Sequence, residues 1–313
     1  MMICNPLDRL GKSAIQVSLQ ELLSLKMFAK QFSLRSLKSK NANSGQKICP
    51  LLARGMEFAE SRRYLPTDDV RSIDWRVTAR TGKAHTKLFS EEKMRQMILV
   101  ADMRTPMFFA TKGVFKSVQA ALLMGCVGWH AAENGDKVGG LIFEDTSFFE
   151  CKPAVGKRGL LPFLQAIAQT SKNEDHKKTA HATSKSDAMD QAVRNLKKLS
   201  TPGSLIFMVS DFRHFSKVAK DLLVQISNHC DLCLCFINDP LEADFPKNGN
   251  YPVTDGNKNL QLAGQSFKSL EKYREQFVIR KNQVANLEVH RRIHFMECTT
   301  EDDCLAQLKK FFK

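Results

Sequence analysis

The sequence predicts an α/β domain over residues 96–313, a mostly parallel sheet wound on both faces by helices. Three observations carry this. Two runs, 97–102 and 204–211, are largely apolar and each ends in an acid, Asp102 or Asp211, as buried strands of a parallel sheet do. Segments with helical spacing alternate with the strand-like runs. Gly and Pro punctuate the joins.

In chain order, the strand at 97–102 is followed by a helix over 115–134, closed by Gly135, and by a strand at 137–143. Residues 148–152 pair with that strand as an edge. Two helices, 160–169 and 187–199, flank a polar loop at 171–186 rich in Lys and His. The strand at 204–211, a helix over 217–228 and a strand at 231–237 come next. A loop carrying Pro240, Pro246, Gly249 and Pro252 leads into a long helix at 266–286, a short strand at 294–298 and a closing helix at 302–312. Ligands of such a sheet are expected at the carboxyl ends of its strands.

Upstream, residues 14–40 read as a helix or helical arm with Ile15, Leu19, Leu22, Leu23, Leu25, Phe28 and Phe32 as its apolar set and a basic tail. Either that apolar side docks on the body of the same molecule, or the arm is a basic amphipathic surface for a membrane or partner. Residues 41–45, Asn-Ala-Asn-Ser-Gly, make a linker. The domain expectation is therefore a basic arm at 1–45, a signature segment at 46–95 and the α/β domain at 96–313.

The 313 residues carry 43% hydrophobic content, enough for a full core and more than one average domain. The net charge of +14 is front-loaded, with about +9 in residues 1–95. Charge of that kind attracts lipid, nucleic acid or an acidic protein face without choosing among them. No apolar run is long enough for a transmembrane helix, and Asp8 and Arg9 interrupt any apolar core of a leader, so a cytoplasmic protein is expected. Nine scattered cysteines fit reduced thiols better than a disulfide framework.

The segment 55–83 is the most distinctive. It interleaves Arg63, Tyr64, Asp68, Asp69, Arg71, Asp74, Trp75, Arg76 and Arg80 without helical or strand periodicity. Aromatic faces can stack guanidinium groups and each acid can take an arginine fork. An interlocked ionic plate with Trp75 buried in it is expected, structural before it is partner-binding.

The wording of this segment, Glu57, Phe58, then Arg63, Tyr64, Pro66, Asp68, Asp69, Arg71, Ile73, Asp74, Trp75, Arg76 and Ala79 to Gly82, resembles the bacterial family called domain of unknown function fifty-eight. Members carry a von Willebrand factor A-like domain and often accompany MoxR-type AAA+ ATPases. One departure is Thr67, where the family has Gly, so the turn must form without a residue free to take positive φ. The resemblance implies a non-catalytic interaction module working with a MoxR-type ATPase and other von Willebrand factor A-like proteins to assemble or remodel complexes. The alternative is a basic adaptor on an anionic surface. Peripheral membrane contact is compatible with it, and nucleic acid is the weaker candidate.

The same resemblance points to a divalent-cation site. Its positions here are Asp102, the hydroxyl positions after it, Thr183 and Asp211. Arg104 and Pro106 stand where hydroxyl ligands belong. A guanidinium has only donors, and at about 5 Å and an effective dielectric of about 20 it repels a dication by roughly 6–7 kcal/mol. The site is expected to be degenerate, with Arg104 bridging Asp102 and Asp211, and no cofactor is expected beyond magnesium at such a site. Alternatively Arg104 points to solvent and Thr105 becomes a ligand. Thr179, Ser184 and Ser186 compete with Thr183 for its role.

Other motifs imply little chemistry. Gly11, Lys12 and Ser13 mimic the end of a phosphate loop, but Pro6 replaces the earlier Gly. Cys230, Cys233 and Cys235 read as small buried hydrophobes. His290 and His294 straddle a strand start, where that spacing does not bring them together, and His176 and His181 read as solvated. Asp239, Glu242, Asp244 and Asp255 read as a fold element or partner contact rather than an acid/base pair.

Overall fold

The computed structural model describes residues 13–33, 56–91, 94–172, 187–243, 250–254, 259–263 and 267–312. The expected linker at 41–45, Thr183 with its competing hydroxyls, His176, His181, Asp244 and Asp255 lie outside the described residues, as do Gly11 and Lys12. The chain divides into two compact units, one of residues 1–36 and 95–313 and one of 37–94.

In the larger unit the described part of the expected arm is not one long helix. Ser18 and Glu21 form a reciprocal cap, the Ser18 amide donating to Glu21 Oε2 at 2.6 Å, and start a short helix, α1 (Leu19–Ser24), that tightens into a 3₁₀ turn at Leu25–Phe28. Leu22, Leu25 and Phe28, spaced by three, are all buried. That spacing suits the three-residue period of the tighter turn better than a continuing α-helix. Residues 13–33 thus belong with the body rather than forming an arm apart.

The signature segment, expected to be irregular or β, has a strand pair in the smaller unit and, beyond the expectation, a helix. β1 (Met56–Arg63) pairs antiparallel with β2 (His85–Glu91), and between them α2 (Trp75–Thr81) forms a helix. Asp74 caps α2, accepting from the Arg76 and Val77 amides, and Gly82 ends it at φ 66. A seven-residue helix flanked by turns leaves too short a window for periodicity to be read.

The sheet of the larger unit comprises β3 (Gln96–Asp102), β4 (Lys137–Phe143), β5 (Phe148–Val155), β6 (Leu205–Ser210), β7 (Asp231–Asn238) and β10 (Ile293–Thr299), ordered β10-β7-β6-β3-β4-β5. All neighbours are parallel except the edge strand β5. A hairpin of Asn250–Thr254 (β8) and Asn259–Ala263 (β9), which the Pro-rich sequence hid, stands outside that sheet.

The helices of the larger unit are α3 (Lys116–Glu133), α4 (Lys157–Lys172), α5 (Ala188–Leu199), α6 (Lys217–Ser227), the short α7 (Pro240–Ala243), α8 (Phe267–Ala285) and α9 (Cys304–Phe311). One face of the sheet packs Ile98, Val100, Ile206, Met208, Leu232 and Leu234 with residues of α5, α6 and α8. On the other lies α3, whose small residues admit close neighbours. Trp129 of α3 donates from its indole to the Leu22 carbonyl at 2.8 Å, which ties down the α1 segment. No helix among the described residues is long and apolar enough to cross a membrane.

Gly159 sets the approach of α4 to the sheet. A Cβ there would lie 1.9 Å from the Val138 carbonyl oxygen and 2.4 Å from that of Ala154, both backbone atoms that cannot swing aside. Gly159→Ala should therefore cost about 1–3 kcal/mol or more through forced backbone shifts, against a gain of up to about 1 kcal/mol in helix propensity. A denaturant midpoint at or above that of the unaltered chain would refute the close approach.

Candidate functional site

The apolar runs end where the sheet's carboxyl edge begins, so the acids that close them are carried into the interior. Asp102 and Asp211 are both fully buried. Two residues after Asp102 the chain turns and Arg104 folds back, 2% exposed. Its Nε donates to Asp102 Oδ1 at 2.9 Å and its Nη2 to Oδ2 at 2.6 Å. The same Nη2 lies 3.8 Å from Asp211 Oδ1, and Nη1 donates to the Arg213 carbonyl at 3.0 Å. The guanidinium carbon stands 5.3 Å from the Phe143 ring centre. Burial acts to lower the pKa of Arg104, and the carboxylates of Asp102 and Asp211 more than offset it.

A second cation, not foreseen in the sequence, completes the site. Lys116 opens α3 with its side chain fully buried, its Nζ 3.0 Å from Asp211 Oδ2 and 2.9 Å from Glu242 Oε1. Arg213 closes the circuit with Nη2 2.8 Å from Glu242 Oε1. Its Nε is 3.2 Å from Asp211 Oδ2, near enough for charge attraction but without hydrogen-bond alignment. Burial alone would raise the Asp211 carboxyl, yet Lys116, Arg213, Arg104 and Arg280 hold it far below the usual carboxylate range. Glu242, 3% exposed, is thus part of this network, and of the two expectations for it the fold element fits.

The backbone after β6 is itself unusual. Phe212 and His214 adopt left-handed φ of 51° and 58°, the non-glycine residues that do so among those described. These turns aim Arg213 back at Asp211 and Glu242. Each costs on the order of 1–3 kcal/mol and persists where packing holds it, here by Phe212 stacked on Phe236 and edge-on to Phe215. The exposed His214 has its pKa lowered, first by desolvation and then by the positive charges of Arg104 and Arg213.

A magnesium ion needs near-octahedral oxygen ligands, and the donors here are committed elsewhere. Both Asp102 oxygens receive Arg104, and Oδ2 also receives the Ser210 hydroxyl at 2.6 Å. Asp211 receives Lys116 and the Arg213 amide. Thr105 gives its hydroxyl to Asp145 at 2.6 Å, so the alternative with Arg104 in solvent and Thr105 as ligand does not hold. Pro106 offers no donor oxygen in its side chain. Among the described residues, the oxygens of Asp102 and Asp211 are held by the chain's own donors and do not fit a divalent cation.

The signature residues of the smaller unit are disposed otherwise than expected. Trp75 is 69% exposed and is not a core aromatic. The acids serve the backbone: Asp69 accepts from the Arg71 amide, Asp74 caps α2 and takes the Ser61 hydroxyl at 2.8 Å, and Asp68 accepts from the Leu65 amide. Among the described residues of this unit, Asp68 pairs with Arg62 at 2.7 Å. Arg63, Arg71, Arg76 and Arg80 are exposed, and among the described residues their side chains make no ion pair, so no interlocked plate is formed by the described residues. The Pro66–Thr67 turn closes with the Asp68 amide on the Leu65 carbonyl at 2.8 Å, without a positive φ at Thr67. The cysteines Cys126, Cys233, Cys235, Cys298 and Cys304 are buried and in no disulfide, and burial raises the pKa of Cys233 and Cys235 well above its ordinary value.

The family model described as "Protein of unknown function DUF58" matches residues 60–284. The chain belongs to the DUF58 family. The matched span takes in the signature segment from residue 60 onward and the acid–cation network. Relatives of this DUF58 protein include uncharacterized proteins Rv1480 of Mycobacterium tuberculosis (strain ATCC 25618 / H37Rv) and Mb1516 of Mycobacterium bovis, each 24% identical over 206 residues. The match covers 66% of this chain and 62% of either relative, so the chain spans less than two thirds of their length. A solved structure, an uncharacterized membrane spanning protein from Vibrio fischeri, is 14% identical and covers 69% of this chain and 96% of its own, with a TM-score of 0.20. At that score the likeness carries no argument.

Proposed function

We propose that this DUF58 chain is a non-catalytic protein-interaction module, built on a von Willebrand factor A-like domain whose metal position is filled by the chain's own Arg104. It works in the cytoplasm with a MoxR-type AAA+ ATPase, and with other von Willebrand factor A-like proteins, in assembling or remodelling complexes. The observation that carries the reading is the bidentate clasp of Arg104 on Asp102, with Asp211 at 3.8 Å. The strand order, with its antiparallel edge and acids closing β3 and following β6, supports the domain assignment. The adaptor alternative is less favoured, because Leu22, Leu25 and Phe28, which would have faced a membrane, are buried.

Magnesium tests the ion position directly. A ligand that does not bind contributes no linkage stabilisation, so neither magnesium nor EDTA should move the melting temperature. Arg104→Ser with Pro106→Ser removes the competing cation and supplies hydroxyls, and should create a magnesium-dependent rise. Clear stabilisation of the unaltered chain by magnesium would overturn the reading. Partnership is tested by co-purification with a MoxR-type ATPase at rising salt. A packed protein interface persists where polyanion binding falls by orders of magnitude between about 50 and 200 mM, and loss of the ATPase at low salt would refute the partnership.

A further inference from the structure

The exposed face of α2 has the makings of a docking site. Trp75, Arg76, Ala79 and Arg80 are exposed, while Val77 and Thr78 are half-buried. The helical repeat places Trp75 beside Ala79 and Arg76 beside Arg80. The inner side is fixed to β2: the Asp74 amide donates to the His85 carbonyl at 2.7 Å and Thr78 Oγ1 accepts from the His85 amide at 3.1 Å. The caps at Asp74 and Gly82 fix the backbone that carries the exposed indole, and Ala79 leaves its flank open. In the turns just before, Val70 and Leu65 are 59% and 50% exposed.

The charges are sorted in a way that selects the occupant. Asp68 is shared between Arg62, the Leu65 amide and the Thr86 hydroxyl, Asp74 between the α2 amides and the Ser61 hydroxyl, and Asp69 accepts from the Arg71 amide, whereas Arg71, Arg76 and Arg80 face outward without an ion pair among the described residues. The outward charge of this stretch is therefore cationic. Trp and Arg are the residues that dominate binding energy at protein interfaces. We infer that the α2 face docks an acidic segment of a partner protein, its carboxylates on Arg76 and Arg80 and an apolar side chain against Trp75 and Ala79. Stacking of nucleobases fits less well, because the neighbouring exposed apolar residues, Val70 and Leu65, offer no flat π-face. This inference rests on the interaction-module reading, but neither on the ATPase nor on the ion position.

The intact chain can be panned against a random-peptide library, with mixed-sequence single-stranded oligonucleotide as a parallel arm. Trp75 is its own reporter, since the other tryptophan, Trp129, is 3% exposed. Enriched peptides should combine Asp or Glu with an apolar residue and should blue-shift the emission. Arg76→Glu with Arg80→Glu, and separately Trp75→Ala, should weaken their binding by about thirtyfold or more, the size of a hot-spot loss, at an unchanged melting temperature. Peptides without acids, binding indifferent to these substitutions, no enrichment, or a blue shift with oligonucleotide alone would each overturn the inference. None of those results would bear on the magnesium melts, so failure here is distinguishable from failure of the ion-position reading.

Discussion

Lys116→Ala should lower stability by about 3–5 kcal/mol, the usual result of removing one member of a buried ion pair and leaving its partners uncompensated. Asp211 and Glu242, 0% and 3% exposed, would then face each other with Arg213 as their shared cation. For a chain of this size the melting temperature should fall by about ten degrees. Acid should narrow the difference. Because the Asp211 carboxyl is held far below its unfolded value of about 3.9, its contribution is complete above about pH 5 and is lost as pH falls through that value toward the folded one. Removing Lys116 raises the folded pKa, so the variant has less to lose. The gap between the two proteins should be widest at neutral pH and shrink below about pH 4. A gap that grew on acidification would mean that Asp211 is not the group Lys116 serves.

Arg104→Ala should be comparably costly, about 3–5 kcal/mol, because Asp102 would keep the Ser210 hydroxyl but lose both guanidinium contacts. Arg104→Lys should recover only part of this, since an ammonium cannot reproduce a two-pronged contact. Urea midpoints for the three proteins check both statements. If Arg104→Ala melted with the unaltered chain, the clasp would be a surface ornament of the fold and the filled-position reading would fall with it.

Asp102 and Asp211 are legible because each closes an apolar run, where a charge stands out, whereas Arg104 is singled out only by the family resemblance. Lys116 and Glu242 are not legible in either way. Their partners are distant in sequence, Lys116 meeting Asp211 over 95 positions and Glu242 over 126, and no periodicity encodes such a meeting. The available signal was a lysine opening a helix that is otherwise almost wholly apolar, and an acid inside a Pro-rich stretch. Trp75 was misread because aromatic content was equated with burial, whereas Asp68, Asp69 and Asp74 hold the surrounding turns by capping, leaving the indole free to face out. For residues 13–33 the docked alternative is the one that fits, but as a short helix and a tight turn: Leu22, Leu25 and Phe28 are buried at a spacing of three.

The thiols buried along β7, β10 and the helices also make the molecule its own stopwatch. Cys233 and Cys235 lie at 0% exposure with their deprotonation suppressed by burial, and it is the thiolate that reacts with an alkylating reagent. Mass added at these two positions therefore counts openings of the central sheet, one chain at a time. Under excess reagent the labelling half-life becomes the lifetime of the closed sheet.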